Sequence, residues 1–307
     1  MTFFQKIRHY ALALGFDACG ISRVAAVSDA ERYTRWLEEN SQTDMTYMAQ
    51  YVDKRLDPRL LVEGTRSVIS VALNYYPCKK LPADVPQFAY YAYGNDYHSV
   101  IREKLRRLLK YIKLSNPFAA GRCFSDSAPV LEHFWAARSG LGFIGKNTLL
   151  IIPDKGSYFF LGELMLNLEP DCNDTPLTAS CGTCRRCIDA CPTGALERPY
   201  YLNANKCISY QTIENRGKIS PCIIPLLSNN VFGCDICQKV CPWNRFAQPH
   251  DNPELTPSEE FLSLDLKKLA AMDEEDFQRL FGQSAVQRLG LSRLKRNVAA
   301  ISETPDK

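Results

Sequence analysis

The sequence predicts an α+β fold in three segments, at 1–170, 171–250 and 251–307. Three observations lead there. The β-branched run Ser67-Val-Ile-Ser-Val-Ala-Leu73 marks a buried strand, while Ile101, Leu105, Leu108 and Ile112 share one stripe of a helix over 97–113. Ten of the 13 cysteines crowd between Cys172 and Cys241, which sets that stretch apart. Beyond 255 the apolar residues return to helical spacing.

In chain order, 2–14 has helical spacing, and Ser28 or Asp29 is placed to cap a helix over 32–39. After the strand at 67–73 and the helix at 97–113, Pro129 opens a helix that runs to 137 and ends at Gly140. Two strands follow, at 149–152 and 158–168, joined by a turn at Asp154-Lys-Gly156. The cysteine-rich segment reads as short helices and loops. In the tail, Phe261, Leu264, Leu266, Leu269, Leu289, Leu291, Leu294 and Val298 are core candidates. A single helical-repeat unit of this size cannot bury its own face, so it must pack on what precedes it.

Composition narrows the class. Hydrophobic residues at 46% and charged residues at 23% describe a globular protein and exclude disorder. No apolar run approaches the roughly 18 residues of a membrane span. The stretch at 11–14 is too short for a secretory signal, and arginine pairs occur only internally, so a cytoplasmic protein without membrane contact is expected. Thiols stay reduced there, and dense cysteines then point to metal or redox chemistry. A net charge of +3 neither demands nor excludes a nucleic-acid partner.

Cys181-Gly-Thr-Cys184-Arg-Arg-Cys187-Ile-Asp-Ala-Cys191-Pro192 is the C-x2-C-x2-C-x3-C-P run of bacterial ferredoxins. Its spacing wraps three thiolates around one cubane and directs the fourth to a second. A partial copy follows at Cys234, Cys237 and Cys241-Pro242, with Val231 where a first cysteine is expected. An eighth ligand comes from Cys207 or Cys222. In the crossed pattern Cys181, Cys184, Cys187 and Cys241 hold one [4Fe-4S] cluster, and Cys191, Cys234, Cys237 and the eighth cysteine hold the other. Structural zinc is the rival, but four cysteines within eleven residues ending in Cys-Pro fit it poorly.

Gly140-Leu-Gly142-Phe-Ile-Gly145-Lys146-Asn147 imitates a phosphate-binding loop. Asn147 stands where a P-loop needs Ser or Thr, and a helix precedes the loop where a strand should. Close approach of this loop to another bulky ligand is the better expectation. Asp126 reads first as a cap for the helix opened by Pro129, and Asp96 as a cap beside Tyr97 and His98. Arg102, Lys104, Arg106, Arg107, Lys110 and Lys113 against Glu103 give the 97–113 helix either a solvated face or a phosphate-binding one. The cysteines outside the two runs read mostly as small buried hydrophobes.

These motifs, taken in order over residues 5–250, resemble the epoxyqueuosine reductase family, the cobalamin-dependent iron–sulfur enzymes of queuosine-tRNA synthesis. The resemblance rests on Asp96-Tyr97-His98, Ser127-Ala-Pro-Val-Leu-Glu132, Gly140 to Thr148, Gly156-Ser-Tyr-Phe-Phe-Leu-Gly-Glu163, Cys207-Ile-Ser-Tyr210 and both cysteine runs. It implies a nitroreductase-like corrinoid-binding core, a ferredoxin-like two-cluster domain and a short helical C-terminal segment. It implies that Cys207 is the eighth ligand and that Asp126 is the proton donor, in a site whose low dielectric raises the Asp126 pKa.

By the same resemblance, Arg55, Asp126, Lys146, Asn147 and Ser157 are candidate cobalamin contacts. Arg106, Lys110, Lys113, Arg185 and Arg186 are candidates for holding the anticodon stem-loop of an epoxyqueuosine-carrying tRNA. The expected partners are that tRNA and an external donor such as a flavodoxin or ferredoxin, with the enzyme a monomer. This chain has His133 where family members carry Arg, and it stops after one helical unit where longer relatives continue. No Asp-x-His-x-x-Gly is present, in keeping with the family's base-off cobalamin that takes no protein ligand to cobalt. A reductive dehalogenase-like corrinoid enzyme and a plain electron carrier are the rival functions. The first usually carries a twin-arginine leader, and the second has no use for the residues before the cysteines.

Overall fold

The computed structural model describes residues 1–302. Its centre is a four-stranded antiparallel sheet in the order Ala18–Arg23, Ser67–Asn74, Phe159–Leu166, Gly121–Phe124. Ser67–Asn74 is buried over all but its last residue, because both sheet faces are covered. On one face Ile69, Val71, Leu73 and Leu164 pack against the helices Phe3–Ala13 and Tyr97–Ser115. The four stripe residues of the second helix are fully buried there, and each contributes roughly 1.5–3 kcal/mol of hydrophobic stabilisation. On the other face Val68, Phe124 and Met165 pack against Trp135 of the helix Glu132–Arg138.

That last helix begins at Glu132, three residues after the expected start, with Leu131 at its N-cap. Asp126 therefore does not cap it. The strands near 150 and 160 also differ from expectation. Leu150–Ile151 pairs with Phe143–Ile144 in its own small sheet, and Phe159–Leu166 joins the main one. The glycine loop is the turn of this small sheet, and its glycines serve the chain's own packing. A Cβ on Gly142 would meet the Ile151 carbonyl oxygen at 2.2 Å, and one on Gly145 would meet the Ile151 side chain at 2.6 Å. The same loop carries Lys146, whose N–H reaches Cys181, and Asn147, which lines the cavity at that cysteine run.

The tail packs on what precedes it. One core joins Phe88 and Tyr93 to Val231 and Phe232 and to Phe261, Phe277, Leu289 and Val298. The helix Leu291–Ser302 is fastened by Asn297, whose buried Nδ2 donates to the carbonyls of Thr212 and Val231 at 2.8 Å each. Among the described residues no helix is long and apolar enough to cross a membrane.

Candidate active site

The edge strand Gly121–Phe124 sets the site. Its register places Phe124 opposite Glu163, so the chain leaves the sheet just before Asp126. Asp126 takes a left-handed backbone conformation, φ 56°, unusual for a residue with a Cβ. The reason lies in its contacts. Its backbone N–H donates to Glu132 Oε1 at 2.6 Å, and its carboxylate accepts a short hydrogen bond from the Tyr97 hydroxyl. His98 Nε2 lies 3.5 Å from the same carboxylate oxygen, and His98 Nδ1 lies 2.6 Å from Asp96. Asp96 also caps the helix Tyr97–Ser115 by accepting the His98 N–H, so one cap fixes the imidazole. Tyr97 is stacked on Phe160 at 4.3 Å.

Electrostatics at this cluster reverse one expectation. Desolvation favours the neutral acid at Asp126, but hydrogen bonds from His98 and Tyr97 outweigh it and hold the carboxyl below its usual range. Desolvation likewise opposes the charged form of His98, yet the hydrogen bonds to Asp126 and Asp96 push it up to about 9. At neutral pH the pair is an imidazolium beside a carboxylate, and the proton rests on His98. Tyr97 is pushed far up by burial and by Asp126, so its hydroxyl stays a donor.

The Asp126 side chain is 59% exposed, and His133 is also exposed, yet lost solvation is the largest influence on both. The charge of Arg288, itself ion-paired to Glu214, also lowers the Asp126 carboxyl.

The cysteines gather in two groups. Cys181, Cys184, Cys187 and Cys241 line one cavity of about 600 Å³. Cys191, Cys207, Cys234 and Cys237 are electrostatic neighbours of one another, and Cys237 also feels Cys187. Backbone amides are aimed at the sulfurs. The Lys146 N–H reaches Cys181 at 3.4 Å, and amides of Ser209 and Tyr210 serve Cys207, as those of Trp243 and Asn244 serve Cys241. Such donors stabilise thiolates and clusters. Among the described residues no three His, Cys, Asp or Glu side chains are grouped so as to hold a single metal ion. Cys222 is exposed, as is Cys78, so neither is the buried hydrophobe expected; Cys19, Cys123 and Cys172 do pack against the core.

Among the described residues the other expected cofactor contacts fall in separate places. Lys146 donates to the carbonyls of Gly182 and Cys184, and with Asn147 it belongs to the first cysteine group. Ser157 is buried against Asn244 and Gln238. Arg55 is buried and donates to the carbonyls of Tyr47 and Gln50. Arg185 and Arg186 stand on the rim of the first cysteine cavity, with Arg185 paired to Asp189. On the basic helix Arg106, Lys110 and Lys113 are exposed, whereas Lys104 is held by the Leu14 carbonyl.

Residues 55–127 match the family described as "Epoxyqueuosine reductase QueG, DUF1730", and residues 180–244 match the "4Fe-4S double cluster binding domain". An epoxyqueuosine reductase of Leadbetterella byssophila is 48% identical over 97% of this chain and 98% of its own. The chain belongs to the epoxyqueuosine reductase family.

Its Escherichia coli member is 38% identical over 98% of this chain and 81% of its own. A crystal structure of epoxyqueuosine reductase with an epoxyqueuosine-modified tRNA-Tyr stem loop superposes with a TM-score of 0.88. That structure is 30% identical, with coverage of 97% of this chain and 80% of that one. The mixed helix and sheet architecture is therefore that of epoxyqueuosine reductases, and the chain is an oxidoreductase with a 4Fe-4S double-cluster domain. Within this family site, sequence reasoning singled out Asp126 but gave no role to Tyr97, Glu132, Glu163 or Arg288. Tyr97 and the two glutamates lie inside the motifs that carried the resemblance, so the signal was present. Arg288 carries no local pattern at all.

Proposed function

We propose that this protein reduces epoxyqueuosine at the wobble position of tRNA to queuosine, with Asp126 and His98 delivering a proton to the departing epoxide oxygen. The observation that carries this reading is the Asp126 carboxylate, open on one side and held on the other by Tyr97 and His98. Turning an epoxide into an alkene takes two electrons and two protons and releases water, so a positioned acid is required. The His98–Asp126 pair holds one such proton at neutral pH.

Cys181, Cys184, Cys187 and Cys241 would ligate one [4Fe-4S] cluster, and Cys191, Cys207, Cys234 and Cys237 the other. Loaded clusters would accept single electrons from an external donor such as a flavodoxin or ferredoxin. The buried Asn147 Nδ2, which lacks a partner, suits a carboxamide on a corrin rim. Bound base-off cobalamin would supply the low-potential nucleophile that opens the epoxide, without a protein ligand to cobalt. Asn147 would meet its rim. Arg55, Lys146 and Ser157 have their polar groups spent within the protein and would act by holding the surrounding loops.

In this reading residues 1–170 form the nitroreductase-like corrinoid core, 171–250 the electron-transfer domain and 251–307 the closing tail of a cytoplasmic monomer. Arg106, Lys110 and Lys113, with Arg185 and Arg186, would meet phosphates of the anticodon stem-loop. A tRNA stem loop bound to a relative supports this substrate.

Asp126→Asn tests the role of the carboxylate. Asn keeps the shape but can neither hold the His98 imidazolium nor relay its proton, so the variant should retain iron, cobalamin and tRNA binding and lose turnover by ~100-fold or more. Full activity would remove Asp126 from the chemistry.

A further inference from the structure

Behind Asp126 lies a second pair of carboxyl groups that the proton delivery above does not use. Glu163 is fully buried in the strand Phe159–Leu166, and neither of its oxygens finds a donor. The Glu132 carboxyl is its electrostatic neighbour and, with burial, pushes Glu163 well up. Burial pushes both groups up, and the Asp126 charge adds to the effect on Glu132. The free end of the pair is Glu132 Oε1, which accepts the Asp126 N–H at 2.6 Å.

That contact falls at the strained residue. Asp126 at φ 56° sits in a region that costs a non-glycine residue of order 1 kcal/mol, so it must be held there. The flanking residues are tied as well: Ser125 donates to the Leu161 carbonyl, and Ser127 accepts from Arg102. A Bacillus subtilis epoxyqueuosine reductase has been described with its catalytic aspartate loop swung out of the active site. Such a loop needs a fastening.

We propose that Glu132 is a positioning residue: backed by the buried Glu163, it fastens the Asp126 backbone so that the carboxylate meets Tyr97 and His98. This inference rests on Asp126 being the proton donor. Burial pushes Glu132 up to about 8 and Glu163 well up, so Glu132 can accept the amide without placing a second buried charge beside Asp126.

Three forms of the protein loaded with clusters and cobalamin, and supplied with a low-potential reductant, test it: wild type, Glu132→Ala and Glu132→Gln. Gln retains a carbonyl that accepts the Asp126 amide, whereas Ala does not. Hydrogen exchange of the Asp126 amide should speed up about ten-fold or more in Glu132→Ala and stay near wild type in Glu132→Gln. With an epoxyqueuosine stem-loop, kcat should fall about ten-fold or more in Glu132→Ala alone, with KM and iron content unchanged. Unchanged exchange in Glu132→Ala would overturn the fastening and leave Asp126 as donor. Faster exchange with undiminished kcat would overturn the role of Asp126, and this inference with it.

Discussion

At Asp126 two influences compete, and their balance decides which residue stores the proton. Burial favours the neutral aspartic acid, but hydrogen bonds from His98 and Tyr97 outweigh it. The acid reserve is therefore the His98 imidazolium, held up to about 9 by Asp96 and Asp126. Because the folded value lies above the ordinary 6.5, this charge stabilises the fold in full below about 6.5 and ceases to do so as pH rises through about 9. NMR titration of His98 should show a midpoint near 9, and Asp126→Asn should move it down toward 6.5. The alkaline limb of kcat should follow the same midpoint. A His98 midpoint unmoved by Asp126→Asn would show that the two do not share a proton. Asp126 itself was legible as a candidate in the sequence, but its state was not. That state depends on a histidine on a distant helix, brought near by a sheet register that no local pattern records.

At the scale of elements, the cysteine segment was the most legible part, because ligand spacing is itself the geometry of a cluster. The ligand spacing alone leaves Cys207 and Cys222 open; Cys207 lies near Cys191 and Cys234, whereas Cys222 is exposed, which favours Cys207. Cys207→Ala should lose about half of the bound iron and Cys222→Ala none, as measured on anaerobically prepared protein. Equal losses would defeat the grouping. The helix Tyr97–Ser115 was equally legible from its stripe, yet its basic face divides. Lys104 is used inside the fold, while Arg106, Lys110 and Lys113 remain exposed. Neutralising those three should weaken stem-loop binding and lower the salt slope by about one unit for each phosphate that is no longer neutralised. Unchanged affinity and slope would place the tRNA elsewhere. The helix opened by Pro129 was misread because a proline signals a start without fixing it; the loop carrying Asp126 needed those residues instead.

At the scale of the whole molecule, three sequence segments share cores that cross their boundaries. The tail contributes Phe277 and Val298 to a core with Phe88 and Phe232, and the charge of Arg288 acts on Asp126. Composition could mark the segments but not these contacts, which depend on side chains meeting over long sequence distances. Asn297→Ala would strip a donor from two buried carbonyls and should cost about 2–4 kcal/mol, read from the anaerobic urea midpoint. The central claim is that this assembly removes the epoxide oxygen of a tRNA nucleoside using cobalamin fed by its clusters. Mass analysis of an epoxyqueuosine stem-loop after anaerobic incubation with cluster-loaded protein and a low-potential reductant tests it most directly. With cobalamin added, the nucleoside should lose one oxygen and become queuosine, and without cobalamin it should remain intact. Conversion without cobalamin, or none with clusters and cobalamin both bound, would contradict the account.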